Sequence, residues 1–304
     1  MMYRWPSCEC AGPMLPGYED REIEASFDER AVQSDVFCFP LVASWRDRIW
    51  RMLGDVITED VRAEFARCPP EYVVSDDLGW LDGIVADVTG RSVDMRELVA
   101  TRLSQEFRAF RAAHGTRTND LAPFYRNGLR RLRPEEWEDR ARGLFLNGRF
   151  KYATEERLQA AIAELGAHEL AGGRGGKLYF CADERSLTTR SGSSGHYLVY
   201  GSEYLYCLGM RVTSTSETKR VLKAIGRPTM FVCDIPMPLL QFHTLREFGG
   251  MVIEYLFCEL VEGLDCHALS PGAGSALSLS KDLPAEHIVG HYHPASVYDP
   301  LYAS

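Results

Sequence analysis

The sequence predicts an α+β protein in which a helical N-terminal region precedes a domain built on a mixed β-sheet. Two observations carry this. From Trp45 the apolar residues Trp45, Ile49, Met52, Leu53 and Val56 recur at three- and four-residue steps, the spacing that lines one face of a helix. After residue 110 the pattern changes to short apolar runs bounded by Gly, Ser and Pro, with helical stretches between them. A chain of 304 residues, 45% of them hydrophobic, is long enough to bury a core of this mixed kind.

Residues 1–40 are rich in Pro, Cys and acidic groups and show no sustained period, so they read as an irregular N-terminal arm. Residues 41–105 form the helical region. Pro69-Pro70 breaks it, Asp76-Asp77 can cap the next helix, and an amphipathic stretch runs from about Val93 through Phe107 and Phe110. The Trp and Phe positions read as core. Residues 106–304 form the sheet domain, with helices at Pro134 to Leu146 and Glu155 to Leu165. Its candidate strands are Leu178 to Cys181, Thr229 to Ile235 and Glu286 to Tyr292. Gly172-Gly173-Arg174-Gly175-Gly176 precedes a strand, whereas a phosphate loop follows one and opens a helix, so it reads as a flexible turn.

A net charge of −9 argues against generic affinity for polyanions and leaves only a local basic groove open. No apolar run approaches the roughly 18 to 20 residues of a bilayer span, and the N-terminus lacks a charged-then-apolar secretion signal. The expectation is a cytoplasmic protein without a membrane partner. The nine cysteines are an odd number, and Cys181, Cys207, Cys233 and Cys258 lie in apolar segments, which reads as reduced core thiols. Cys8 and Cys10 are too closely spaced for a zinc knuckle.

Three short pieces bear on function: His114-Gly115-Thr116, Ser194-Gly195-His196-Tyr197, and Glu286-His287-Ile288-Val289. The stretch from Phe110 to Leu132 resembles the first strand and helix of diphtheria-toxin-like and poly(ADP-ribose)-polymerase-like ADP-ribosyltransferases. In that class a His-Gly-Thr or His-Gly-Ser strand end is followed by a short helix closing on a Gly-Leu or Gly-Ile pair, here Gly128-Leu129. Leu178-Tyr179-Phe180 and Ser194 to Tyr197 resemble the family's Tyr-Phe strand and its Ser-x-x-Tyr helix start. Between them this chain carries an insertion such as Ser186 to Gly192. Glu286 to Val289 resembles the strand that bears the family's glutamate. The resemblance covers roughly residues 110 to 298 and implies a split mixed β-sheet with NAD as the substrate. It also implies that His114 bonds the ribose near the adenosine half. Pro284 stands where arginine-modifying toxins carry a second acidic residue, which disfavours arginine as the acceptor.

The chemistry asks for the same residue types. Breaking the glycosidic bond of NAD passes through an oxocarbenium-like ribose that a nearby carboxylate stabilises, a role open to Glu286. Nicotinamide is a flat cation that aromatic faces such as Tyr179 and Tyr197 can hold, while Gly115 and Ser194 fix its amide. A glycine at 115 lets backbone approach the ring. The site thus comprises Glu286, His114 and Tyr197 as catalytic residues, and His114, Gly115, Thr116, Tyr179, Ser194 and Tyr197 against NAD. Glu254 and Glu259, in the apolar run Met251 to Val261, are rival carboxylates if the strand register differs. The tyrosines 197, 200, 204 and 206 also fit simple helical packing.

A metal reading competes through His287, His291 and His293. In a strand 287 and 291 stand about 13 Å apart, too far for one ion, while 291 and 293 are about 7 Å apart and need Cys266-His267 to complete a site. Satisfied core or surface histidines are the preferred reading, with no metal. The run Arg126, Arg130, Arg131, Arg133, Arg140, Arg142, Arg149 and Lys151 fits a pyrophosphate or nucleic-acid contact, and its interspersed acids fit a solvated helix face equally. The expectation is an NAD-dependent ADP-ribosyltransferase acting on a protein or nucleic-acid acceptor. By analogy it is a toxin, effector or phage-defence enzyme, with a neutralising partner protein in the toxin case. The alternatives are an NAD glycohydrolase, an inactive nucleotide- or partner-binding module, and a metal-dependent hydrolase using His291 and His293.

Overall fold

The computed structural model describes residues 2–4, 32–166, 175–190, 194–261 and 275–301. In chain order the first elements are β1 (Met2–Arg4), β2 (Val36–Phe37), α1 (Val42–Leu53), α2 (Glu59–Arg67), α3 (Gly79–Thr89) and α4 (Met95–Glu106). Next come β3 (Ala109–Thr118), α5 (Ala122–Asn127), α6 (Pro134–Phe145), α7 (Glu155–Leu165), β4 (Leu178–Cys181), α8 (Arg185–Thr188) and α9 (His196–Tyr200). The last are α10 (Glu203–Val212), α11 (Thr215–Lys223), β5 (Arg227–Pro236), α12 (Phe242–Cys258), β6 (Ala276–Leu279), β7 (Ile288–Tyr292) and β8 (Ser296–Tyr298).

The fold is mixed α+β, with twelve helices among the described residues and a six-stranded, mostly antiparallel sheet. Helices begin where side-chain oxygens meet orphan N–H groups: Thr58, Asp94, Thr154, Ser202 and Ser214 each accept from a backbone N–H of the first turn. Asp77 takes the N–H of Gly79 at 2.8 Å at the start of α3. Two pieces of the segment read as irregular are strands: β1 pairs antiparallel with β8, and β2 pairs parallel with β3. Both partners are distant in sequence, so no local period announces them. No described helix is long and apolar enough to cross a membrane.

The chain divides into two compact units, one of Met1–Ser26, Ala112–Cys233 and Ala276–Ser304, the other of Phe27–Arg111 and Asp234–Ser275. In the second unit α12 packs on α4. Gly250 permits the close approach of α12 to the preceding loop, because a Cβ there would stand 2.0 Å from the Ser75 carbonyl oxygen. Phe110 contacts Phe37 and Phe248 with ring centroids 5.2 and 4.7 Å apart. The run Met251 to Val261, open between helix and strand from sequence, is therefore largely helical, its apolar residues filling this aromatic core.

In the first unit β3 is central. The sheet order is β6-β4-β3-β5-β7, with Ala113 opposite Cys181 and Leu178 opposite Leu279. Helices α6, α7 and α10 bury Phe145, Leu158, Leu205, Leu208 and Val212 in one cluster. Gly209 of α10 lets Phe145 and Thr218 close in, since a Cβ there would lie 2.6 Å from each side chain.

Candidate functional site

Strand β3 alternates at its C-terminal half: His114, Thr116 and Thr118 are half-buried, while Gly115 and Arg117 are buried. That is the period-two alternation of a sheet with two different faces. The half-buried face opens on a cleft of about 730 Å³, within the range of roughly 300–1,000 Å³ usual for small-molecule sites. His114, Gly115, Thr116, Tyr179 and Tyr197 all line it. So do Trp137 and Arg140 of α6, Lys177 ahead of β4, and Glu203 and Tyr204 of α10.

The Nδ1 of His114 lies 2.8 Å from the Tyr179 carbonyl oxygen. A carbonyl only accepts, so Nδ1 carries the proton, and in the neutral ring Nε2 is then an acceptor. Burial holds the His114 pKa below its ordinary value of 6.5, only partly offset by the bond to Tyr179. The side chain is thus a neutral imidazole at pH 7, suited to accept from a ligand hydroxyl. Tyr179 is the one half-buried residue of β4, set among buried Leu178, Phe180 and Cys181.

Arg117 points to the opposite face and ties β3 to its neighbours. Its guanidinium donates to the carbonyls of Leu198, Lys223, Ile225 and Gly226 at 3.1, 2.8, 2.9 and 2.7 Å. Desolvation pulls its pKa down to about 10, which still leaves it charged at neutral pH. The Lys223 carbonyl is the last of α11, a helix C-terminus where a cation is favoured. Arg117 thereby positions α9, which carries Tyr197.

Helix α9 stops at Gly201, whose φ of +83° suits glycine, and Ser202 caps α10 by accepting from Leu205 N at 3.3 Å. This tight turn brings Glu203 back beside Tyr197: the Tyr197 hydroxyl donates to Glu203 Oε2 at 3.2 Å. His196 Nε2 stands 3.7 Å from the same oxygen. The Arg140 guanidinium lies 5.2 Å from the Trp137 ring centroid. Arg130 is bound by Glu136, and Arg131 lies 3.6 Å from Asp282, so these two cations are already neutralised. Among the described residues Arg140 and Lys177 are paired with no carboxylate.

No protein-family model, curated protein or solved structure matches this chain.

Two expected residues stand elsewhere. Ser194 is not among the cleft-lining residues; it hydrogen-bonds the Cys181 thiol, whose pKa burial pushes up to about 11. Glu286 is exposed and lies in a short 3-10 turn, Ala285–His287, that ends before β7 begins. The strand was expected to start at Glu286. Pro284, with φ of −58°, opens a turn closed by His287 N–H to Pro284 O at 3.1 Å, and the ladder starts only at Ile288. That turn packs against α5, but the Glu286 side chain does not line the cleft. The rivals Glu254 and Glu259 lie within α12 and at its C-cap, in the other unit.

Gly115 lines the cleft, yet its glycine identity has a packing cause as well: a Cβ there would meet Leu187 and Leu198 side chains at 3.2 Å. His291 and His293 are buried, with Nδ1 atoms 2.6 Å from the Tyr125 hydroxyl and 3.0 Å from the Pro228 carbonyl. The described residues contain no group of three or more His, Cys, Asp or Glu able to hold a metal ion. Cys8, Cys10, Cys266, His267 and Gly172 to Arg174 lie outside the described residues.

Sequence reasoning passed over Trp137, Arg117 and Glu203. Glu203 had a legible signal: the Gly201-Ser202 pair, four and five residues after Tyr197, marks a turn and a new helix N-cap, which folds the next residue back on the first helix. Taken together, the cleft offers aromatic faces for a flat ring, a neutral imidazole for a hydroxyl, two available cations for phosphate, and a carboxylate beside a tyrosine.

Proposed function

We propose that this protein is an NAD-dependent ADP-ribosyltransferase that binds NAD in the cleft and transfers ADP-ribose to a protein or nucleic-acid acceptor. One observation carries the reading: His114, Thr116, Tyr179 and Tyr197, drawn from three separated segments, line a single cleft. In this reading the sheet is the split mixed sheet of an ADP-ribosyltransferase-like catalytic domain. Nicotinamide lies against Tyr197 and Tyr179, and the ribose hydroxyl donates to His114 Nε2. Arg140 and Lys177 face the pyrophosphate. A role as toxin, effector or defence enzyme held in check by a neutralising protein belongs to the same proposal.

A second reading has its own support. Glu286 stands outside the cleft, as in a module that binds a nucleotide without cleaving it. Nicotinamide release from NAD by the purified protein separates the two. Release that needs His114 supports the enzyme, and label from NAD retained on a lysate component distinguishes transfer from hydrolysis. NAD binding with no release at any lysate concentration supports the module.

A further inference from the structure

We infer that Glu203 is the carboxylate that serves the reacting ribose, an assignment that rests on the NAD reading of the cleft. Three described carboxylates line the cleft: Asp120, Glu136 and Glu203. Asp120 is exposed and accepts from the Ala122 N–H at 3.0 Å, closing the loop that starts α5. Glu136 is exposed and held by Arg130 at 2.6 Å, with Arg133 3.5 Å away. Glu203 differs from both. Its side chain is only 30% exposed and is held by the hydroxyl of Tyr197, the aromatic residue assigned to nicotinamide.

That hydrogen bond sets the chemistry. A carboxylate has two oxygens and about four lone-pair sites, so it can accept from more than one donor at a time. If the nicotinamide ring lies on Tyr197, the ribose C1′ bonded to it lies near the tyrosine, and the carboxylate tied to that tyrosine faces the developing charge. The C1′–N bond breaks and its electron pair stays on the pyridine nitrogen, which becomes neutral. Positive charge spreads over C1′ and the ring oxygen, beside Glu203. An acceptor hydroxyl or water then gives a lone pair to C1′, and its proton passes to the carboxylate and on to solvent. A carboxylate fixed in advance stabilises this state without reorganisation.

The test is steady-state nicotinamide release and NAD affinity by calorimetry for wild type, Glu203→Gln, Glu203→Asp and Glu286→Gln, with thermal unfolding of each. Expected is a loss of about 100-fold or more in kcat for Glu203→Gln with the Kd for NAD within about threefold. Glu203→Asp recovers part of the loss, and Glu286→Gln stays within about threefold of wild type. If Glu203→Gln does not fold, the fall in kcat at unchanged Kd is read from Glu203→Asp. Glu203→Gln that folds with kcat within tenfold of wild type overturns the assignment while leaving the NAD reading intact, as does a loss confined to Glu286→Gln. Wild type that neither binds nor cleaves NAD overturns both.

Discussion

The Nδ1 atom of His114 and the backbone carbonyl of Tyr179 stand 2.8 Å apart, joining the two strands that form the floor of the cleft. This contact selects the tautomer, and burial holds the ring neutral by keeping its pKa below 6.5.

On the proposed NAD reading, replacing His114 by alanine should leave the protein folded and lower kcat/KM for nicotinamide release by about 100-fold, because that reading gives this ring the ribose contact. The pH dependence has a defined sign. The unfolded chain takes up a proton on this histidine near 6.5, and the folded protein resists it to lower pH. Stability is thus full above about pH 6.5 and declines as pH falls through the lowered folded value. Urea midpoints at pH 7.5 and 5.5 should show a smaller drop in His114→Gln than in wild type.

Arg140 projects into the cleft against Trp137 and is paired with no carboxylate among the described residues. If the proposed pyrophosphate contact holds, Arg140→Ala should weaken NAD binding by about 1.5 kcal/mol, roughly tenfold in KM, with kcat unchanged. The difference should shrink at high salt, since a partly exposed charge is screened. An effect on kcat alone would be incompatible with a phosphate contact.

Gly128 adopts φ +77° and ψ −167°, a conformation essentially reserved for glycine, and a Cβ there would stand 2.0 Å from the Leu283 carbonyl oxygen. Gly128→Ala should lower stability by more than about 2 kcal/mol, read from denaturant unfolding. It should also weaken NAD binding, because the adjoining Leu129 bridge to Leu283 holds the cleft wall.

In the other unit Arg111 and Asp234 form a bidentate pair with side chains 6% and 12% exposed. Arg111→Met should cost about 3–5 kcal/mol by stranding a buried carboxylate. Arg111→Met combined with Asp234→Leu should recover most of that loss. A double variant as unstable as the single one would show that the pair is worth more than its desolvation.

The elements with a strong local period were legible from residue types alone. Helix α7 occupies Glu155–Leu165 and β4 occupies Leu178–Cys181 as read, because the capping Thr154, the terminal Gly166 and a short apolar run are local features. Helix α5 closing on Gly128-Leu129 was expected only through the family resemblance, and the structure has a helix there. Strands β1 and β2 were not legible, since a strand of two or three residues exists only through its partner. Nor was the return of α12 to the N-terminal helices, which depends on contacts across more than a hundred residues of chain.

The site divides along the same line. The resemblance of three short sequence pieces to ADP-ribosyltransferases nominated His114, Thr116, Tyr179 and Tyr197, and all four line one cleft. Glu286 and Glu203 have the same side chain, and the sequence reading put only Glu286 in the site, as the first residue of a strand. Placement distinguished them: Pro284 turns Glu286 out to solvent, while the Gly201-Ser202 reversal brings Glu203 against the Tyr197 hydroxyl. A carboxylate's chemistry depends on what lies within about 3 Å of its oxygens, and that distance is set by how separate elements pack.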